Sequence, residues 1–326
     1  MLRRTIPYIL LVGLGLAGVW LWKNSPSAVP EVATTNFRRP SPPPAPPVPP
    51  VTRLDFLTDL GQPYQVRINL LRSMLATECS EPEIRHLYQL LAQGAPKAEV
   101  PEHGYVIAND IMAQLLGHET DPSRFAAKFI ALIADGQQPE VVRDYAVQYL
   151  ASWLNPRVAQ ATQVLAAPSP EITAQILKSL VTTATDPAYG QTTIPGTTLM
   201  MLVELTRTGS GVDCSESIAT LKPWLGQALA DGSALSQSVR VSAVIAAGVL
   251  APDEFRATLR KIAYQPDGSA ALQLPALASL GQTGEATDLP QLQKIAATQP
   301  ALAYAAADAS RVLTTRLTGE TPKLSQ

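Results

Sequence analysis

Two cysteines in 326 residues, Cys79 and Cys214, are too few for a disulfide framework. They read as core thiols, because free cysteine packs as a small hydrophobe. Aromatic residues make up 6% of the chain and charged residues 16%, and little Val/Ile/Thr alternation marks strands, so almost no sheet is expected. His86, His103 and His118 are the full set of histidines. None pairs with Cys, Asp or a second His at metal-ligand spacing, and His118-Glu119-Thr120-Asp121-Pro122 breaks the H-E-x-x-H zinc pattern. Gly209-Ser210-Gly211 has neither the G-x-S-x-G elbow nor the Lys-Ser/Thr tail of a phosphate loop and reads as a link between helices. Catalytic, cofactor and metal residues are expected to be none.

The net charge of -2 conceals an uneven split. Residues 1–53 hold six basic side chains (Arg3, Arg4, Lys23, Arg38, Arg39, Arg53) against Glu31, leaving 19 basic and 26 acidic residues beyond them. A domain of net -7 lacks the basic footprint that phosphate backbones require, so no nucleic-acid partner is expected.

Proline is abundant, with 29 residues, and it is concentrated. Pro40 to Pro50 runs Pro-Ser-Pro-Pro-Pro-Ala-Pro-Pro-Val-Pro-Pro, a polyproline II spacer of roughly 35 Å. Before it, Arg3-Arg4, the apolar run Ile6 to Trp22 and Lys23 read as a signal anchor: a short transmembrane helix with Tyr8, Trp20 and Trp22 at the interfaces. The competing reading is a cleaved secretory signal, which Ser25-Pro26-Ser27-Ala28 fits poorly. Gly13 and Ala17 form a small-xxx-small pair that leaves homodimerisation open. The expected order is a cytoplasmic tail (1–5), a transmembrane helix (6–22), a disordered Pro-rich linker (23–53), a helical domain (54–318) and a tail (319–326). With Arg3 and Arg4 inside, the domain is periplasmic or otherwise extracytoplasmic, held on the inner membrane; reversed topology would put it in the cytoplasm.

From Leu54 on, apolar stretches of helical length alternate with start and stop signals. Ser80-Glu81-Pro82-Glu83 has the form of a capping box, Asp121-Pro122 and Ser169-Pro170-Glu171 put a cap before an N1 proline, and Gly94, Gly117 and Gly136 are placed as helix closers. Val142-Arg143-Asp144-Tyr145-Ala146-Val147 recurs 97 residues on as Val239-Arg240-Val241-Ser242-Ala243-Val244, with looser echoes at Ile172, Leu272 and Leu302. Those offsets suggest a period of about 32 residues, the mark of stacked helix pairs. On that spacing Cys79 and Cys214 lie some four units apart, roughly 30 to 40 Å, too far for a bridge.

The Val-Arg start with Ala three residues later, and the turn Ala276-Leu277-Ala278-Ser279-Leu280-Gly281-Gln282-Thr283-Gly284 before Asp288-Leu289-Pro290-Gln291-Leu292, resemble the HEAT-repeat family. The resemblance runs from Pro122 to Leu317 and is weak from Leu54 to Gly117. It implies an all-α fold, a right-handed α-solenoid of HEAT-like helix pairs, and a scaffold or partner-binding role.

On such a scaffold Tyr145, Arg143, Arg240 and Tyr304 are the candidate partner-binding surface, with Tyr149 and Trp153 assigned mostly to the core. The longer polar breaks Asp186 to Thr198 and Thr208 to Asp213 are candidate recognition loops. The function expected is a non-catalytic membrane-anchored scaffold for an extracytoplasmic protein. The alternatives are an enzyme or enzyme subunit, lyase- or cell-wall-related, with a site near 186–213, and the same scaffold facing the cytoplasm.

Overall fold

The computed structural model describes residues 54–74, 79–98, 100–155, 165–207 and 209–319. The predicted membrane helix, the Pro-rich linker and the tail from 320 lie outside the described residues. The chain divides into Met1–Pro49 and Pro50–Gln326, and the described structure belongs to the second unit. Among the described residues there are thirteen α-helices and no strand. None of these helices is long and apolar enough to cross a membrane.

The helices are α1 (Tyr64–Ser73), α2 (Glu81–Ala92), α3 (Pro101–His118), α4 (Pro122–Ala134), α5 (Glu140–Leu154), α6 (Pro170–Thr185) and α7 (Ile194–Arg207). They continue with α8 (Ser215–Leu229), α9 (Gln237–Leu250), α10 (Pro252–Tyr264), α11 (Ala270–Thr283), α12 (Leu289–Thr298) and α13 (Ala303–Thr318). Local chemistry starts several of them. Ser80 and Glu83 close a reciprocal capping box on α2, Asp121 accepts from the Ser123 and Arg124 amides, and Ser169 accepts from Ile172 N–H. Each such cap is worth about 1 kcal/mol. Gly94 follows α2 at φ +99, a conformation that side chains disfavour. Gly117 does not close α3; it is buried in the last turn before His118.

The odd-numbered helices from α1 to α13 each pack on the next odd helix, and α2, α4, α6 and α8 do likewise. Each even helix also packs on the odd one after it. A continuous apolar core runs between them, from Leu54 to Leu313. Successive odd helices begin 37, 39, 54, 43, 33 and 33 residues apart, so the uniform 32-residue period fails. Val142 and Val239 lie two helix pairs apart rather than three, and Ile172 sits on α6, an even helix. The stretches 155–169 and 186–193, both between α5 and α7, account for the longest interval.

Small residues bring the later odd helices close together. A Cβ on Gly196 would lie 3.0 Å from Ser242 Oγ, one on Gly248 2.6 Å from Ser279 Cβ, and one on Gly281 2.9 Å from Ala309 Cα. Ala146, Ala243 and Ala276 are fully buried in the same row.

Candidate functional site

The two arginines of the expected surface do structural work instead. Arg143 is 4% exposed, its Nε donates to Ile133 O at 2.7 Å, and its guanidinium carbon lies 4.2 Å from the Tyr189 ring centroid. Half-buried Arg240 sends Nε to Ala228 O (3.4 Å) and Nη2 to Ala230 O (3.3 Å). Arg67 reaches Leu57 O and Gln273 reaches Ala263 O in the same manner. In each case the fourth residue of an odd helix turns back onto a carbonyl at or near the end of the preceding helical element, where the last turn leaves carbonyls without intrahelical partners. Val66-Arg67 carried this signal in a region that looked irregular in sequence.

Tyr145 is half-buried on α5, and Tyr304 on α13 is 88% exposed. Three odd helices, α7, α9 and α11, intervene between them in the packing order, so the four residues are not brought together. Burial, followed by the Asp144 and Asp110 carboxylates, raises the Tyr145 phenol pKa. Trp153 is buried as expected, edge-on to Phe125 at 5.1 Å, with its indole N–H on Ala166 O. Tyr149 is half-buried and donates to Asn109 O at 3.1 Å.

The polar stretch Asp186 to Thr198 is a strut rather than an open recognition loop. Tyr189 spans back to Ala134 O and Arg143, Gln191 donates to Ala234 O, and Ser236 N–H bonds Gly190 O at 3.0 Å. Thr193 holds Glu140 and Asp144 of α5, and Ile194 onward is already α7. In the second break, Ser210 is buried, donates to Leu205 O at 2.8 Å and accepts from Val212 N–H.

Two of the three histidines are also spoken for locally: His118 Nε2 lies 3.0 Å from Met74 O, and His103 stacks on Tyr64 with centroids 3.9 Å apart. Of the two cysteines expected in the core, Cys79 is half-buried and Cys214 is buried, which raises its thiol pKa.

Two ion networks escaped sequence reasoning. Buried Glu119 accepts from Tyr88 OH, the Thr120 and Asp121 amides, and Arg124, which also forks onto Glu81. Burial pushes the Glu119 carboxyl pKa up, but these donors together hold it below the usual value. Asp288 repeats the design, taking Arg260, Tyr264 OH and the Glu285 amide. Its carboxyl too stays low against burial. Both networks tie neighbouring elements together; no shared signal in sequence marks residues 24 to 43 apart as partners.

A cleft of about 1070 Å³ opens between α6 and the turn leading to α8. Trp153, Leu177 and Val181 give it apolar walls, and Lys178, Asp213 and Glu216 mark its rim. Leu154 and Leu165, which border it, flank residues 156–164, outside the described residues. The Asp213 carboxylate is engaged by Ser215, which lowers its pKa, and no histidine lines the cleft. Among the described residues no group of three His, Cys, Asp or Glu is arranged to hold a metal ion.

The exposed large apolar side chains are unevenly placed. Val66 and Leu70 lie on α1, Val100 caps α3, Val141 lies on α5, Leu274 on α11, and Tyr304 and Leu317 on α13. Leu60 precedes α1, and no even helix carries such a residue among those described. Helices α9 and α11 hold a single charged residue between them, Arg240. No protein-family model, no curated protein and no solved structure matches the chain.

Proposed function

We propose that the protein is a non-catalytic, membrane-anchored scaffold whose odd-numbered helices present a binding surface to a protein partner outside the cytoplasm. The observation that carries this reading is the confinement of exposed large apolar side chains to the odd row and its lead-ins. Single exposed hydrophobics are ordinary, but their segregation onto one set of helices is the pattern of an interaction face. The charge-poor pair α9 and α11 extends it. In this reading the helix pairs stack as a right-handed HEAT-like α-solenoid, residues 6–22 anchor the chain in the inner membrane, and the Pro-rich segment sets the domain off the bilayer.

The test is photo-crosslinking in native membranes from positions 274 and 304 on the odd row, with position 222 on α8 as control. A partner trapped from 274 and 304 but not from 222 supports the proposal. Equal trapping from all three, or none from the odd row, overturns it. A periplasm-active reporter fused after Gln326 tests the orientation independently.

A further inference from the structure

Helices α5 and α7 meet through three side-chain oxygens. Glu140 and Asp144 stand one turn apart on α5, and both reach Thr193, the residue before α7. Thr193 N–H donates to Glu140 Oε1. Thr193 Oγ1 lies 2.7 Å from Glu140 Oε1 and within hydrogen-bond distance of Asp144 Oδ2.

A hydroxyl carries one hydrogen and satisfies one carboxylate as donor. With both acids ionised, one of these two contacts would set a lone pair against a charged oxygen. Asp144 Oδ1 is also buried and lacks a hydrogen bond of normal geometry, the Thr197 hydroxyl bearing on the carboxyl without closing one, which penalises an ionised oxygen more than the carbonyl of a neutral acid. Glu140 already takes the backbone N–H, so it is the natural acceptor of the Thr193 proton. Asp144 is then the group that must donate.

We propose that Asp144 takes up a proton from solvent in the folded protein and donates it to Thr193 Oγ1, making Asp144–Thr193–Glu140 a pH-sensitive latch between α5 and α7.

The surroundings agree. Burial raises the Asp144 pKa; the Thr193 and Thr197 hydroxyls oppose this, Glu140 adds to it, and Arg143 opposes it least. Arg143 is committed to Ile133 O and Tyr189. From α3, Asp110 bears on the neighbouring Tyr145 and is paired with Arg72 of α1 at 2.6 Å. On α4, Arg124 is engaged with Glu81 and Glu119, and Lys128 is exposed. On α6, Glu171 and Lys178 are exposed. A carboxyl whose folded pKa is raised gives stability that is complete below its unfolded value, about 3.9, and is lost as pH rises through the folded value. The latch therefore closes in acid and slackens toward alkaline pH.

The test is hydrogen exchange of residues 186–200 in the full-length protein at pH 4 and pH 8, corrected for intrinsic exchange rates. Wild type is expected to lose protection at the higher pH, by up to about tenfold for each unit the pKa is raised. Asp144→Asn, whose amide donates at every pH, should keep its protection at pH 8. Thr193→Val, a change at an exposed position, should have low protection at both values. A wild-type pH response that persists in Thr193→Val, or is unchanged in Asp144→Asn, overturns the latch. So does a wild type with no pH response. The latch does not rest on the scaffold reading.

Discussion

Arg143 Nε donates to the Ile133 carbonyl at 2.7 Å, ten residues back along the chain. That carbonyl belongs to the last turn of α4, where the helix offers it no partner of its own. One guanidinium thus finishes α4, orients α5 and stacks on Tyr189. Arg143→Met should lower the unfolding free energy by about 2 kcal/mol, the range for a charge-assisted bond whose loss leaves a buried group unpaired. Arg143→Lys should recover little, since an ammonium lacks the planar face and the fork. Urea denaturation reads both, and a loss under about 0.5 kcal/mol, as at an ordinary surface site, would remove the assignment.

The Glu119 and Asp288 networks predict acid sensitivity of the opposite sign to the latch. Both carboxyls are held low in the folded chain. Their contribution is present above the unfolded pKa values of about 4.3 and 3.9, and is lost as pH falls through the folded ones. Glu119→Gln should cost about 1.5 to 3 kcal/mol at pH 7, because Tyr88, Arg124 and two backbone amides lose a charged acceptor while Arg124 keeps Glu81. It should also flatten the stability curve between pH 5 and pH 2, read by thermal melts. An unchanged acid slope would show that Glu119 titrates alike in both states.

Two glycines in helix interiors should respond oppositely to alanine. A Cβ on Gly248 would meet Ser279 Cβ at 2.6 Å, whereas one on Gly226 of α8 meets nothing within 4 Å. Gly248→Ala should destabilise by about 1 to 3 kcal/mol through overpacking. Gly226→Ala should stabilise by about 0.5 to 1 kcal/mol through helix propensity. Adding Ser279→Gly to Gly248→Ala should recover part of the loss, since it removes the obstructing side chain. Chemical denaturation of the three variants decides the matter.

Tyr304, at 88% exposure, has little to lose by truncation in the free protein. Tyr304→Ala should leave the melting temperature unchanged while reducing partner recovery if it is an interface anchor, since exposed aromatics that become buried on binding carry much of the affinity. Equal recovery with wild type would take Tyr304 off the surface.

What could be read from the sequence was what is decided locally. The caps at Ser80, Asp121 and Ser169 depend on residues two or three positions away, and each forms as expected. The all-helical character followed from composition. The spacing of helix pairs did not, because the lengths of the stretches 155–169 and 186–193 follow no period. The Val-Arg pattern was visible at 142 and 239, but its chemistry was not: whether an arginine faces solvent or turns back to a carbonyl is settled by the preceding helix. Thr193 looked like a loop residue because its partners, Glu140 and Asp144, lie 53 and 49 positions away.

The strut at 186–193 has a mechanical consequence. Helix pairs that touch only their neighbours can fray one at a time, each opening at its own free energy. Here one short segment grips the end of α4, the first turn of α5 and the turn before α9. Local opening anywhere in that span must first release the others, so α4 to α9 should melt as one block. A single proteolytic cut between Asp186 and Thr193 would uncouple it, releasing helices that the cut itself never touches.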